Sequence, residues 1–159
     1  MKLEMIGALQ VYDRKTKKHR AQDWKLSAGV VWKDDTSAYY ASFIKKRYNL
    51  ELVHPLRGTH ITIVNDKYRD SSNAEVRRLI DELEGEQIRF EIDTDVRTDG
   101  NHWWMKVTSP EAHMIRHMLG FDPNPYFPFH LTIGYAKENE KDQAKYIQRQ
   151  ILRYEADLS

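Results

Sequence analysis

Cysteine is missing from the chain, which removes disulfides, thiolate zinc sites, iron–sulfur clusters and a Cys nucleophile together. Chemistry is left to His, carboxylates, hydroxyls and Lys. An excess of either charge is missing too: 25 Lys+Arg stand against 24 Asp+Glu for a net +1, so no chain-wide cationic field draws in nucleic acid or a membrane surface. A polyanion would have to be gripped locally. No apolar run approaches the roughly 18 residues of a membrane span, and Met1-Lys2-Leu3-Glu4 lacks the pattern of an export signal, so a cytoplasmic setting with no membrane partner is expected. Low-complexity tracts and Gly/Ser linkers are lacking, and neither Gly58 nor Gly134 belongs to a multi-glycine phosphate loop.

What is present suffices for one compact domain over 1–159, or one domain of two small lobes. Hydrophobic residues make up 40% of the chain, against 31% charged residues and a mean hydropathy of −0.76, the balance of a packed core under a solvated surface. Periodicity and caps predict four helices. The first, over 37–48, follows the cap candidates Asp35 and Thr36 and carries a stripe of Tyr40, Phe43, Ile44 and Tyr48. The second, over 73–84, has Ser72 and Glu75 at capping-box spacing, a Val76, Leu79, Ile80, Leu83 stripe and Gly85 as its stop. A third begins at Pro110 behind Ser109 and runs through Ile115, Met118 and Leu119 to Gly120. The last spans 142–154 with Ala144, Ile147, Ile151 and Tyr154 inward. Strands are expected over 25–33, 60–65, 88–93, 102–108 and 130–136, with a weaker one over 5–12.

Strand, helix, strand and helix over 25–84 match the same order over 102–154, which suggests two pseudo-equivalent lobes behind an extra N-terminal segment of about 24 residues. The expected class is therefore α+β, a bilobal duplicated fold whose two antiparallel sheets form a central cleft with helices packed outside. The motif-bearing strand of each half carries the same pattern, His60-Ile61-Thr62-Ile63 and His130-Leu131-Thr132-Ile133, 70 residues apart. On a strand alternate side chains share a face, so each His and Thr point one way and the aliphatics the other. A single strand His is ordinarily satisfied by local hydrogen bonds. Two such patterns with apolar flanks arise by chance at roughly the one-in-a-thousand level, and pairing favours function. One neutral imidazole can take a proton from an attacking water or hydroxyl while a protonated one donates to the leaving oxygen. The Thr hydroxyls would hydrogen-bond non-bridging oxygens as charge grows on them. The scheme needs no metal or other cofactor.

The chain resembles the 2H phosphoesterases on His60-Ile61-Thr62 and His130-Leu131-Thr132, their spacing, and the repeated order of elements over most of 25–154. The resemblance implies cleavage of 2′,3′-cyclic phosphates, other cyclic phosphodiesters or 2′-5′ linkages; some phage members degrade cyclic oligonucleotide signals. It implies His60 and His130 as the acid–base pair, with Thr62 and Thr132 as phosphate ligands. Nucleotides or cyclic oligonucleotides, or RNA ends, are the expected partners, with no obligate protein partner. Two alternatives stand beside hydrolysis: RNA end joining in the same fold, and non-catalytic binding of a nucleotide or RNA end.

Further candidates each have a plainer reading. Trp104 and Lys106 share a strand face with His102 and Thr108; Trp104 could stack on a base and Lys106 meet phosphate, or the Trp could be ordinary core or sheet surface. Arg57 enters the first motif strand and could reach phosphate, or be a surface Arg. By alternation Gly134 lies on the His130 face, where it leaves room for a ligand or merely for a facing strand, while Tyr135 faces the core. Arg14 to Arg20 form the densest basic run, either tracking a nucleic-acid backbone or forming a solvated hairpin tip. The Pro- and aromatic-rich stretch 121–128 reads as an ordered loop that closes over a ligand or packs beside the fourth helix. His113 and His117 have helical metal-ligand spacing, but neither His54 nor any Glu completes a pattern with them, so no metal is expected.

Overall fold

A computed structural model describes residues 1–13, 24–68 and 73–158. The basic run 14–20 and the cap candidate Ser72 lie outside the described residues. The chain is α+β, with four α-helices and two antiparallel sheets of five and three strands among the described residues. Its elements are β1 (Lys2–Ala8), β2 (Gln10–Asp13), β3 (Trp24–Trp32), α1 (Thr36–Tyr48), β4 (Leu52–Val53), β5 (Thr59–Tyr68), α2 (Asn73–Leu83), β6 (Gln87–Thr98), β7 (His102–Thr108), α3 (Pro110–Met118), β8 (His130–Ala136) and α4 (Lys141–Leu158). The larger sheet has the order β1-β6-β7-β8-β4 and the smaller β2-β3-β5. No helix among the described residues is long and apolar enough to cross a membrane.

The weak strand expected over 5–12 is two strands, one in each sheet. They part at Leu9, whose side chain is buried and whose backbone bonds to Glu86 and Gly85 instead of continuing either ladder. Strand β6 runs further than 88–93, and the two-residue β4, too short to leave a periodic signal, pairs with β8.

All four predicted helices form, but two bury other faces than their apolar pattern suggests. In α1 the buried stripe is Ser37, Ala41 and Ile44; Tyr40 and Tyr48 are half-buried and Phe43 is exposed. Small side chains let the first turn of α1 close on the motif strands. Asp35 holds the N-cap position as expected but its side chain makes no cap bond; Asp34 Oδ1 instead accepts from the Thr36 N–H at 3.0 Å. In α3 Ser109 caps as expected, accepting from Ala112 N–H at 3.1 Å, but Met118 is exposed and Arg116 takes the inward position.

Both motif strands contain a β-bulge at the same place. Along β5, Thr62 pairs with Gly29 and Val64 with Ala28, leaving Ile63 as an extra residue; along β8, Thr132 pairs with Trp104 and Gly134 with Trp103, leaving Ile133 extra. Period-two reading fails beyond each bulge. Gly134 therefore lies on the core side, where an added Cβ would come within 2.7 Å of the Val53 carbonyl and 2.8 Å of Leu52 Cβ. It makes room for β4, not for a ligand. Tyr135 faces the same way as His130 and Thr132, opposite His102 on β7, and is exposed, which corrects its expected place in the core.

Helix side chains satisfy backbone at both bulges. The Ser37 hydroxyl of α1 donates to the Thr132 carbonyl of β8 at 3.0 Å, and Arg116 Nη1 of α3 donates to the Ile63 carbonyl of β5 at 3.0 Å. Each brace comes from the helix that precedes the other motif strand in the chain. Ser37 also binds the near strand, its N–H donating to Thr59 Oγ1 at 3.1 Å.

Candidate active site

His60 and His130 open their strands in the same local geometry. His60 Nδ1 lies 2.8 Å from the Gly58 carbonyl, and His130 Nδ1 lies 2.9 Å from the Pro128 carbonyl. A carbonyl oxygen only accepts, so Nδ1 carries the proton in both rings and Nε2 is the atom left for chemistry. The Gly58 carbonyl is aimed by a tight turn, in which Gly58 N–H donates to Pro55 at 3.0 Å with φ +67°, a conformation that favours glycine. Burial lowers the pKa of His60, and the Arg57 charge adds to this; burial also lowers that of His130, and the charge of His60 adds. In each ring the backbone hydrogen bond opposes the shift. A proton on His60 thus works against one on His130, and the two imidazoles belong to one electrostatic site.

Register places the remaining residues around them. Across β3 and β5, Val31 lies opposite His60, Gly29 opposite Thr62 and Ser27 opposite Asn65; across β7 and β8, Lys106 lies opposite His130, Trp104 opposite Thr132 and His102 opposite Tyr135. Thr62 is half-buried and Thr132 buried at 3% exposure. Arg57 is exposed, with its guanidinium 4.5 Å from the Tyr12 ring centroid. Lys106 is exposed and Trp104 half-buried, whereas Trp103 on the opposite face is entirely in the core. All seven candidates from the sequence therefore lie on the two motif strands, on the β7 face that adjoins them, or in the turn leading into β5.

Three residues of the candidate site carried no sequence signal strong enough to single them out. Tyr12, on β2, sends its hydroxyl across β3 to the Ile61 carbonyl at 3.0 Å and bonds the Thr62 side chain. Burial raises its pKa to about 12, although the Thr62 bond and the Arg57 charge pull the other way. His102 stacks between Trp104 and Tyr135 with Nε2 2.9 Å from Thr132 Oγ1. Phe127 sets its ring edge-on to His130, with centroids 4.6 Å apart. The stretch 121–128 thus packs against the His130 site. His102 left a trace, since it shares the alternating face of Trp104 and Lys106, and Phe127 lies in the aromatic-rich stretch 121–128. Of the histidines considered for a metal, His113 has its Nδ1 held by the Pro123 carbonyl at 2.6 Å. Among the described residues no three His, Asp or Glu side chains are grouped to hold a metal ion.

Gly29 is what lets Tyr12 reach Thr62. A Cβ there would collide with the Ile61 carbonyl and the Tyr12 hydroxyl and come within 2.9 Å of Thr62 Cα. Gly29→Ala is expected to cost about 1–3 kcal/mol, as overpacking does, with the backbone shift centred on Thr62. Urea denaturation measures the loss; an unchanged midpoint would show that β2 is free to move aside.

Compared with known proteins, the chain matches no family model, no curated protein and no solved structure.

Proposed function

We propose that the chain is a metal-independent phosphodiesterase of 2H type, hydrolysing a cyclic or 2′-5′ nucleotide phosphodiester between two related half-domains. The observation that carries this reading is the matched setting of His60 and His130: each has Nδ1 tied to the carbonyl two residues earlier, a Thr two residues later and a bulge directly after it. Independent strand histidines have no reason to share all three. The same match, with the order β3-α1-β5-α2, interrupted only by the two-residue β4, and β7-α3-β8-α4, supports a duplicated, bilobal fold with the cleft at the motif strands.

In the proposed reaction one neutral imidazole removes a proton from water through Nε2 as the water oxygen attacks phosphorus. The other, protonated, gives its Nε2 proton to the departing ribose oxygen. Water is added across one P–O bond, and a phosphomonoester and a free hydroxyl result. Thr62 and Thr132 serve as ligands to the non-bridging oxygens, Arg57 and Lys106 supply positive charge at the rim, and Trp104 offers a face to a base. A cytoplasmic nucleotide pool, including RNA ends, is the source of substrate this reading expects.

Two measurements test it. Purified protein incubated in EDTA with 2′,3′-cyclic nucleotides, cyclic di- and trinucleotides, 2′,3′-cyclic-ended RNA and ADP-ribose cyclic phosphate should turn over at least one of them. Strict dependence on an added divalent metal would sink the mechanism, and binding without turnover across the panel would favour a sequestering protein. The dependence of kcat/KM on pH should be bell-shaped, because one imidazole must be charged and one neutral. Both pKa values are lowered from 6.5 in the free protein, so the optimum of kcat/KM should fall below pH 6.5. An optimum near pH 8 would contradict the pair.

A further inference from the structure

His102 plays no part in the acid–base scheme, yet it is among the most constrained side chains of the site. Trp104 stacks on its ring at 5.0 Å and 26°, Tyr135 at 5.1 Å and 16°, and His130 meets it edge-on at 5.3 Å. Its backbone is fixed as well: Asp99 Oδ1 accepts from the His102 N–H at 2.7 Å, and its carbonyl accepts from the Thr98 hydroxyl at 2.9 Å. Burial between aromatic rings, and next the charge of His130, lower its pKa to about 4, against the opposing pull of Asp99. It is a neutral ring at the working pH of any imidazole pair.

A neutral imidazole carries one N–H, and the threonine hydroxyl it meets also carries one proton. If Thr132 donates to His102, it has none for a ligand; if His102 Nε2–H donates to Thr132 Oγ1, the hydroxyl proton is free to turn toward an anion. Thr132 is buried, which leaves its hydroxyl few other partners. We propose that His102 is a positioning residue whose tautomer is opposite to that of His60 and His130, donating through Nε2–H so that Thr132 presents its proton to a phosphodiester oxygen. The choice of tautomer rests on the phosphodiesterase reading, which supplies the anion, but its measurement does not.

The experiment is imidazole 15N–1H NMR on the labelled wild-type chain at pH 8, joined to kinetics of His102→Phe and His102→Gln. The spectrum should place the proton of His102 on Nε2 and those of His60 and His130 on Nδ1. His102 protonated on Nδ1 would overturn the proposal, with no need for any variant to fold or turn over. His102→Phe keeps a ring in the stack and loses the donor. Its kcat should fall about 10- to 100-fold, less than the roughly 10²–10³-fold of deleting a direct oxyanion donor, with KM little changed and both limbs of the pH profile in place. His102→Gln, which can still present an N–H, should recover part of the loss. Wild-type kcat in His102→Phe would also overturn the proposal. A wild-type chain that hydrolyses nothing would count against the phosphodiesterase reading, while the tautomer would still be decided by the spectrum.

Discussion

Replacing His60 or His130 with Ala is expected to lower kcat/KM on the best cyclic phosphodiester by about 10²–10⁴-fold, the range supplied by general acid–base catalysis. The half-buried rings are truncated at the start of their strands, and the core-facing Ile61 and Leu131 are untouched. Affinity for the phosphomonoester product should therefore hold within a few-fold. Because one imidazole acts only with the other in the complementary protonation state, the double variant should be far less damaged than the product of two single losses. Each single variant should also lose one limb of the pH profile. Full multiplicativity in the double variant, or either single variant retaining wild-type kcat/KM, would refute the paired mechanism.

The largest effect on stability is expected at Arg116. Its side chain is only 3% exposed, yet it donates to the Asp122 carbonyl at 2.7 Å, the Ile63 carbonyl at 3.0 Å and both carboxylate oxygens of Asp66 at 2.9 and 3.1 Å. Removing one partner of such a pair leaves the other desolvated, which typically costs about 3–5 kcal/mol. Asp66 is 35% exposed and partly rehydrates, so Arg116→Ala should sit at the lower end, about 3 kcal/mol by urea denaturation. Adding Asp66→Asn to Arg116→Ala should recover part of that loss, because a carboxylate no longer lies where its guanidinium was. A loss below about 1 kcal/mol would mean that the bulge in β5 does not depend on its brace.

The parts of this architecture that follow periodic rules were legible, and the parts that break them were not. Four helices and the principal strands came from apolar spacing and caps. The two His-x-Thr patterns stood out because nothing about a core requires His and Thr at alternate positions twice. Reading beyond Thr132 failed because Ile133 is an inserted residue: alternation assumes an unbroken pleat, and a bulge exchanges the faces of everything after it. Gly134 and Tyr135 were each assigned to the wrong face for that single reason. Arg116 was missed because a guanidinium on a helix reads as solvated, and only the bulge carbonyl and Asp66 give it a reason to be inside. Tyr12 and His102 reach the motif strands through contacts across strands, and their register is set by pairing that no local window contains.

The two braces also bear on how such a chain could arise. Ser37 and Arg116 are each committed to a strand in the other half of the molecule, so on the duplicated reading neither half is self-sufficient. A single half standing alone would offer a helix donor with no bulge to meet and a bulge with no donor. Ser37 lies in the first turn of α1 and Arg116 in the last turn of α3, so the two donors are not copies of one another and would, on that reading, have been acquired separately once the halves were joined.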